Sequence, residues 1–331
     1  MLIDQSNQPQ QDPRQYVPPQ GQTWTTHSRL LTTHKNTWSP ITTTTINPSS
    51  KTPSSQTPSS KTPNSTLYSL TTTPKFAIGQ RAILIKTPPG SSHGNILWDC
   101  LTLLDAPTIT WIKSQGGLSA IVISHPHYYA SHLRWGWEFG CPVYVSDVDA
   151  GWCGREDAWG VRRLLAGDET EIVPGITAIR AGGHFEGSLV LHSVYGAGEQ
   201  PGDEEDGEGE GDGEEGKKKK HPGALFIADT LVTVPSALYP HNRPPGTTSY
   251  GFFWSIPNMI PLSPNAMRGV WRAVEGWEFG STHGAFVGLD VWDGDGDGGR
   301  GTVKERIRES MRIQARGAGW VGSFDLGEEW P

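Results

Sequence analysis

The chain has 331 residues and a formal net charge of −8 at neutral pH, and much of that charge lies in one acidic block, GDEEDGEGEGDGEEG. Binding of nucleic acid requires clustered Lys and Arg side chains, and the basic run KKKK (217–220) lies directly beside this stronger acidic block, so no nucleic-acid partner is expected. The sequence contains no run of eighteen apolar residues, so neither a membrane-spanning helix nor a membrane partner is predicted.

The cysteines and the first residues bear on the compartment. Cys100, Cys141 and Cys153 are odd in number and do not have the spacing of metal ligands, so they are interpreted as reduced thiols. The start of the chain, MLIDQSNQPQQDP, lacks the basic and apolar regions of a secretory signal. Together these features predict a cytoplasmic protein.

Two polar tracts divide the chain. Residues 41–75 consist mainly of Ser, Thr and Pro, with a short repeat in KTPSSQTPSSKTPNS, and predict a disordered linker because few of their side chains can be buried. Residues 202–220 are predicted to be a disordered charged insertion, since like charges repel and Gly adds chain entropy. The predicted organisation is therefore an N-terminal leader (1–40), the linker and one folded domain (76–331).

Within that domain, short apolar runs alternate with segments of helical spacing. Strands are predicted, in chain order, at 82–86, 95–100, 120–124 and 141–146, and then in EIVPG, ITAIRAGG, SLVLHSVYG and GALFIADTLV. Helices are predicted at 105–114, 127–139, 263–279 and 303–316. The later strands are expected to be antiparallel neighbours, with the charged tract as a long hairpin loop between two of them. Two sheets with helices outside them satisfy this order.

Histidine or aspartate follows several of these apolar runs. His125 and His127 come directly after the strand AIVIS, and alternate residues of an extended segment point the same way, so both imidazoles can face one metal ion. His184 follows two glycines at the end of a predicted strand. Asp229 ends the apolar run ALFIA, where an unpaired carboxylate is costly to bury and therefore requires a cation or strong donors. The alternative interpretation is that these side chains are hydrogen-bonded residues of a core without metal.

The order of these segments resembles the metallo-β-lactamase-fold hydrolases over most of residues 76–330. HPH (125–127) resembles the start of the family motif HxHxDH, while GGHFEGSLVLH and GALFIADTL resemble the segments that carry the next His and the bridging Asp. The resemblance implies an α+β four-layer αββα sandwich. It also implies that Asp99, at the end of NILWDC, supports the ligands from behind, and that His283 in STHGAF is the last His ligand. The alternative for His283 is an ordinary histidine in a loop.

The leader and the aromatic pair after the HxH motif resemble one subgroup of this family, composed of uncharacterised hydrolases. In that subgroup two aromatic residues follow the motif, as in HPHYY here, and DPRQYVPPQGQTWTT (12–26) resembles its N-terminal leader. The resemblance implies that the linker 41–75 is an insertion between leader and domain.

One position departs from the family motif in a way that changes the expected chemistry. Tyr129 and Ala130 stand where the motif has Asp and His, and the Asp normally helps to hold a second metal ion. A tyrosine, whose phenol ionises near pKa ~10, is a poor replacement ligand. One zinc ion held by His125, His127 and His184 is therefore expected in preference to two. Tyr129 or Tyr128 is assigned the hypothetical role of hydrogen-bond donor to the oxyanion of the transition state, in the place that a second metal ion would occupy.

Four further residues are candidates for supporting roles. His132 lies one helical turn beyond Tyr129, and a solvated helix position is favoured for it over a role beside the metal. His192 is expected to face a neighbouring strand or to contact the metal ligands from behind. Phe253 and Trp254 fall, by the family resemblance, in a loop over the site and are candidates for substrate contact.

The expected function is hydrolysis of a carbonyl- or ester-type bond in a small-molecule substrate by metal-activated water, with Asp229 as ligand and catalytic residue. One alternative is a mononuclear iron oxygenase acting on a thiol, with a triad of His125, His184 and Asp229. The other is a non-catalytic scaffold module. Metal identity and oxygen consumption distinguish these hypotheses, and the sequence does not specify the substrate.

Overall fold

The computed structural model describes residues 12–21, 23–42, 66–195, 222–238, 244, 246–293 and 301–320. Seven strands form the first sheet in chain order: β1 (Lys35–Pro40), β2 (Leu67–Thr73), β3 (Ala82–Ile85), β4 (Asn95–Trp98), β5 (Leu118–Val122), β6 (Val143–Ser146) and β7 (Arg162–Leu165). Neighbours from β1 to β4 are antiparallel, and neighbours from β4 to β7 are parallel.

The second sheet is built from the later part of the chain. Its strands are β8 (Glu169–Val173), β9 (Ile176–Arg180), β10 (Leu189–Ser193), β11 (Gly223–Ala228), β16 (Phe279–Gly284) and β17 (Asp290–Trp292). Two small ribbons lie between them in sequence, one of β12 (Val232–Thr233) with β13 (Tyr250–Gly251), the other of β14 (Phe253–Ser255) with β15 (Ile260–Pro261). The spatial order is β17-β16-β11-β10-β9-β8, with β11 and β16 parallel and the other pairs antiparallel. The antiparallel pairing of β10 with β11 confirms the predicted hairpin, whose charged loop lies outside the described residues.

Alternation along the strands shows which face each sheet buries. In β4, Ile96 and Trp98 belong to an apolar cluster shared with Phe226 and Leu191 of the second sheet, whereas Leu97 belongs to a cluster on the opposite face. Because successive side chains of a strand point to opposite faces, the first group fills the space between the sheets.

Helices cover the two outer faces. The helices are α1 (His27–Thr33), α2 (Ala106–Ser114), α3 (His132–Phe139), α4 (Pro264–Val274) and α5 (Val303–Gly317). Ile112 of α2 and Trp135 of α3 pack on the outer face of the first sheet, and Val270 of α4 and Ile307 of α5 pack on that of the second. The predicted four-layer αββα sandwich is confirmed.

The predicted domain boundary at residue 76 was wrong. Residues 67–73 of the supposed linker form β2, and residues 35–40 of the supposed leader form β1, so both segments are strands of the first sheet. Ser, Thr and Pro dominate 41–75 as a whole, which concealed the apolar Leu67, Tyr68 and Leu70 at its end. Residues 43–65 lie outside the described residues.

The leader is joined to the domain by specific contacts. Asp105 caps α2 by accepting a hydrogen bond from the backbone N of Thr108 (3.0 Å), and its other oxygen accepts one from the backbone N of Asn36 in β1 (2.8 Å). Trp38 of β1 stacks on Trp111 of α2, with ring centroids 4.7 Å apart. The side chain that caps α2 therefore also fixes the first strand.

The predicted helix 263–279 is shorter in the structure. Ser263 caps the helix, but α4 ends at Val274, and Phe279 begins β16. Gly276 falls between these elements, where glycine weakens helix propagation. His283, expected in a loop, therefore lies inside a strand.

A buried ion pair joins the two sheets near this strand. The guanidinium of Arg81, directly before β3, donates to both carboxylate oxygens of Asp290 in β17 (2.5 and 3.1 Å) and to the carbonyl oxygen of Gly284 (2.9 Å). The side chains of Arg81 and Asp290 are 1% and 9% exposed. Nδ1 of His283 lies 2.8 Å from Asp290. Removing one member of such a pair leaves the other charge buried without compensation.

We therefore expect Asp290→Asn to lower the free energy of unfolding by about 3–5 kcal/mol, measured by urea denaturation in chelator. The matched control is Glu138→Gln, which breaks the exposed Lys113–Glu138 pair and is expected to cost under ~1 kcal/mol. Equal losses in the two variants would contradict a structural role for the buried pair.

The same pair predicts a pH dependence. Burial raises the pKa of Asp290, but the hydrogen bond from His283 and the charge of Arg81 outweigh burial and lower the pKa to about 2. A carboxylate with a depressed pKa stabilises the fold above its unfolded pKa of about 3.9, and that contribution is lost as the pH falls through the folded pKa. The difference in unfolding free energy between wild type and Asp290→Asn should therefore be constant above pH ~5 and narrow below pH ~4.

Candidate metal centre

Four predicted ligand residues meet where the two sheets share an edge. His125 and His127 follow β5 of the first sheet, with His127 inside a short 3₁₀ turn (Pro126–Tyr128). His184 follows β9 and Asp229 follows β11, both in the second sheet. The backbone N of Leu189 in β10 donates to the carbonyl oxygen of Ser124 (2.8 Å), which joins the sheets at this point.

The donor atoms of these residues are close enough to surround one ion. Oδ2 of Asp229 lies 3.4 Å from Nε2 of His125, 3.9 Å from Nδ1 of His127 and 3.9 Å from Nε2 of His184. One ligand atom from each of the four residues lies within 4.8 Å of the others. Tetrahedral zinc with bonds of ~2.0–2.1 Å to nitrogen and oxygen separates its ligand atoms by about 3.4 Å, so the cluster fits such an ion with small adjustments.

Unpaired ring nitrogens support the same fit. Nε2 of His125 and Nε2 of His184 are buried and have no hydrogen-bond partner among the described residues. A buried polar atom without a partner costs about 1–3 kcal/mol, so two such atoms aimed at one carboxylate need an explanation. A cation at the centre of the cluster would bind both lone pairs.

A hydrogen-bond chain behind His125 fixes its tautomer. Oγ of Ser124 donates to the Asp99 carboxylate (2.8 and 3.0 Å) and lies 2.8 Å from Nδ1 of His125. When Asp99 is ionised, the single hydroxyl proton of Ser124 goes to its carboxylate, and Nδ1 of His125 then carries a proton that it donates to Ser124. Nε2 then keeps its lone pair toward Asp229. Asp99 thus lies behind the ligands, as the family resemblance implied, and acts through Ser124.

Backbone strain accompanies this arrangement. Asp99 has a φ of 59° and Ala228, next to Asp229, has a φ of 41°, both in the left-handed region that non-glycine residues rarely adopt. Such conformations cost of order 1–3 kcal/mol each and persist where the surrounding structure enforces them. Here each one directs a carboxylate away from the line of its strand and toward the cluster.

His184 is held by its ring and by the turn before it. Nδ1 of His184 lies 3.4 Å from the carbonyl oxygen of Phe253, an acceptor only, so Nδ1 carries the proton and Nε2 is left with its lone pair. Gly182 and Gly183 precede it with φ of 67° and 88°, and a Cβ on Gly183 would come within 3.1 Å of Leu262. Glycine is therefore required for the turn that brings His184 to the cluster.

The electrostatics of the cluster favour metal ligation. Burial lowers the pKa of His125, and burial with the neighbouring His125 imidazole lowers that of His184 to about 3, so these two rings are neutral at pH 7. Burial raises the pKa of Asp229, but the nearby imidazoles of His125, His127 and His184 outweigh burial and hold that pKa well below its usual range. Burial raises the pKa of Asp99 to about 8, partly offset by hydrogen bonds from Ser124. Neutral imidazoles beside an ionised carboxylate are the donor set that zinc prefers.

The prediction that His283 is the last ligand was wrong. His283 is fully buried in β16, its Nδ1 lies 2.8 Å from Asp290, and its Nε2 lies 3.3 Å from Oγ of Ser281. Both ring nitrogens are engaged there, and the ring packs between Phe226 and Trp292. His283 therefore supports the buried ion pair between Asp290 and Arg81, and this structural role explains its position.

Tyr129 does not lie where an oxyanion donor is required. Its ring packs in the core beneath α3, and its hydroxyl is buried with no hydrogen-bond partner among the described residues. Burial raises its pKa far above the usual range. A catalytic donor must reach the reacting atoms, so the assignment of this role to Tyr129 was wrong. The short 3₁₀ turn ends just before Tyr129 and directs its side chain into the protein.

His132 is buried as well, contrary to the favoured solvated position. Its Nδ1 donates to the carbonyl oxygen of Tyr129 (2.5 Å), and its Nε2 accepts from Nε of Arg162 (3.1 Å). Burial lowers its pKa to about 4. With both nitrogens engaged, this neutral ring connects α3 to β7 and contacts none of the four clustered residues through these bonds.

The remaining candidates are His192, Phe253 and Trp254. Nε2 of His192 lies 2.8 Å from the carbonyl oxygen of Glu278, and the ring packs against Trp277, so the strand-facing alternative describes it and the role behind the ligands does not. Phe253 contacts His184 through its carbonyl oxygen, and Trp254 follows it on β14, so both lie beside the cluster.

Sequence reasoning missed three residues that contact the cluster. Ser124 connects Asp99 to His125, and its position directly before the HxH motif was the available signal. Phe185 packs its ring 5.0–5.7 Å from the rings of His125, His127 and His184. Arg14 donates to the carbonyl oxygen of His184 across 170 residues of sequence, a contact that no local pattern indicates.

None of the helices in the described ranges combines the length and the apolar character that crossing a membrane demands. The cysteines Cys100, Cys141 and Cys153 are all free thiols, and none belongs to the cluster.

Comparison with known proteins gives one relative and several solved structures. No protein-family model matches the chain. The uncharacterized protein YmaE of Bacillus subtilis (strain 168) is 31% identical over 305 residues, which cover 92% of this chain and 85% of that protein. The metallo-beta-lactamase FIM-1 from Pseudomonas aeruginosa, solved in a mono-zinc form, is 12% identical with a TM-score of 0.47, covering 76% of this chain and 92% of its own. A B3 metallo-beta-lactamase with an active-site glutamic acid is 16% identical with a TM-score of 0.42, covering 76% and 86%.

The match to YmaE extends over nearly the whole chain, and the αββα layers with the clustered His and Asp side chains at the shared sheet edge are features of the structure itself. The chain therefore belongs to the same protein family as YmaE.

Proposed function

We propose that this protein is a hydrolase that uses a single zinc ion to cleave a carbonyl- or ester-type bond in a small-molecule substrate. The observation that supports the proposal is the set of four donor atoms within 4.8 Å of one another, from His125, His127, His184 and Asp229. Two of the imidazoles present unpaired, buried nitrogens to the Asp229 carboxylate. This arrangement is costly without a cation.

A zinc ion in this donor set lowers the pKa of a bound water to ~7 and polarises the oxygen of a carbonyl group. His125, His127 and His184 would hold the ion. The Ser124–Asp99 chain keeps the proton on Nδ1 of His125, so Nε2 remains a ligand atom throughout.

Asp229 can act in two ways in this geometry. Its Oδ2 faces all three imidazoles, so that oxygen would contact the ion. The carboxylate is ionised at neutral pH and its side chain is 12% exposed, so it can also orient water that enters the site by accepting a hydrogen bond from it. Phe253 and Trp254 line the neighbouring ribbon and would form one wall of the substrate site.

One cation is favoured over two by the positions that depart from the family motif. Tyr129 turns into the core, Ala130 offers no ligand atom, and His283 pairs with Asp290. Cytoplasmic location and the absence of nucleic-acid and membrane partners remain expectations from the sequence alone.

The first test is the metal content of purified wild-type protein and of His184→Ala, measured by mass spectrometry. About one zinc per chain is expected in the wild type and at least about tenfold less in the variant, because one of three nitrogen donors is lost. His192→Ala is the matched control, since His192 is also a buried histidine of the second sheet but hydrogen-bonds to Glu278.

Other outcomes of that measurement would contradict the proposal. Near-stoichiometric iron, together with oxygen consumption in the presence of thiols, would favour the mononuclear oxygenase. Absence of metal from both proteins, with stability unchanged by chelator, would favour the scaffold module. Zinc that persists at full stoichiometry in His184→Ala would place the ion elsewhere.

A second test concerns the chain behind His125. Ser124→Ala removes the acceptor of the Nδ1 proton and leaves Asp99 with only the backbone N–H of residue 124 as donor, so zinc affinity should fall about 10–100-fold. The measurement is competition with a chromogenic chelator. The control is Ser69→Ala, because Ser69 is a buried serine whose hydroxyl has no partner among the described residues. Equal affinity in both variants would contradict the orienting role of Ser124.

A further inference from the structure

The leader residues 12–15 form a turn that lies against the candidate metal centre. The backbone N of Gln15 donates to the carbonyl oxygen of Asp12 (2.9 Å), which closes the turn. The carbonyl oxygen of Pro13 accepts hydrogen bonds from Oγ of Ser255 (2.8 Å) and from Nδ2 of Asn258 (2.7 Å). These bonds fix the turn to the β14–β15 ribbon. In the same ribbon, the carbonyl oxygen of Phe253 accepts a hydrogen bond from the His184 ring.

Arg14 carries the main contact between this turn and the ligands. Its Nε and Nη2 donate to the two oxygens of Asp12 (2.8 and 2.5 Å), and its Nη1 donates to the carbonyl oxygen of His184 (3.0 Å). The side chains of Arg14 and Asp12 are only 10% and 8% exposed. A guanidinium can occupy so enclosed a position because the carboxylate is bound in a bidentate manner beside it.

The other face of the guanidinium meets an aromatic ring that all three histidines share. Cζ of Arg14 lies 3.6 Å from the ring centroid of Phe185, and Trp152 and Trp254 lie within 5.5 Å. A desolvated cation–π contact of this kind contributes about 2 kcal/mol. The Phe185 ring also packs against the rings of the three clustered histidines. Arg14 therefore holds both the backbone of His184 and the ring that supports the other ligands.

His184 is thus restrained at two points by segments distant in sequence. Phe253 accepts from its ring, and Arg14 donates to its backbone. Asp12 and Arg14 also lie within electrostatic reach of the cluster: the pKa of Asp12 is lowered mainly by Arg14, against burial, with a smaller effect from His127. The leader is consequently part of the metal centre in space, although residues 41–75 separate it from the HxH motif in sequence.

We propose that Asp12 and Arg14 form a positioning latch that keeps His184 and Phe185 in the geometry required for metal binding. The latch acts through the His184 carbonyl and the Phe185 ring, without contact between Arg14 and the ion. This inference rests on the proposed metal site but assigns a role to leader residues outside the ligand set.

The test measures the rate at which zinc leaves the loaded full-length protein when a chromogenic chelator is added in excess. Arg14→Ala should release zinc about 10–100-fold faster than wild type, the range for residues that orient metal ligands. Arg14→Lys keeps a cation over Phe185 but loses the two-point bond to Asp12, so its rate should fall between the two. Asp12→Asn, which weakens the same bond without changing size, should also accelerate release.

The matched control is Arg29→Ala in the same leader. Arg29 is exposed, and its hydrogen bonds to Thr26, Thr32 and Thr33 involve backbone atoms of Arg29 only. Its release rate should equal that of wild type. Partial rescue by Lys distinguishes a positioning role from general destabilisation, and thermal unfolding of each metal-free protein verifies that the variants are folded.

The possible results separate this proposal from the proposed function. Wild-type release rates in Arg14→Ala, or in Arg14→Lys and Asp12→Asn if Arg14→Ala does not fold, would overturn the latch while stoichiometric zinc in the wild type would leave the metal site intact. Wild-type protein that binds no zinc would overturn both. Acceleration in Arg29→Ala equal to that in Arg14→Ala would also overturn the latch, because the effect would then belong to the leader as a whole.

Discussion

The structure is organised around the desolvation of three polar side chains at the edge where two β-sheets meet, beside a fourth, that of His127, which is 21% exposed. His125, His184 and Asp229 are each at most 9% exposed. An imidazole nitrogen or carboxylate oxygen that is so deeply buried needs a partner. No single strand supplies the partners. β5 contributes from one sheet and β9 and β11 from the other, so the sheets must be held in fixed register for the donor atoms to converge. The bond from Leu189 to Ser124 and the buried Arg81–Asp290 pair provide that register near the cluster.

Rigid layers behind the cluster maintain its geometry. α2 and α3 cover one sheet and α4 and α5 the other, and the central strands β3, β4, β10 and β11 are buried on both faces. Strain at Asp99 and Ala228 persists because these layers allow no relaxation of the strand ends. The same rigidity explains how one hydroxyl, that of Ser124, can determine the tautomer of His125. The leader contacts the cluster through Arg14, which bonds to the His184 backbone and packs on Phe185.

Local patterns in the sequence predicted the parts of the site that depend on local geometry. The HxH spacing after a buried strand, the two glycines before His184 and the carboxylate at the end of an apolar run each follow from strand or turn geometry, and the structure brings these residues together. The αββα layers also follow from apolar alternation and helix spacing. Contacts between distant segments were not predictable in this way. Nothing near Arg14 indicates His184, and the composition of residues 41–75 concealed β2 because Ser, Thr and Pro outnumber the apolar residues that the strand buries.

The errors at Tyr129 and His283 have a common physical origin that bears on the chemistry. Both positions were assigned by analogy to a site that holds two metal ions, and both side chains satisfy other constraints in this chain. Tyr129 adds an aromatic ring to the core beneath α3, and His283 hydrogen-bonds to the Asp290 carboxylate that neutralises Arg81. Because Asp290 accepts hydrogen bonds from both Arg81 and His283, recruitment of His283 as a ligand would break a buried charge network. The side chains of Tyr129 and His283 are therefore part of the structural framework around the cluster.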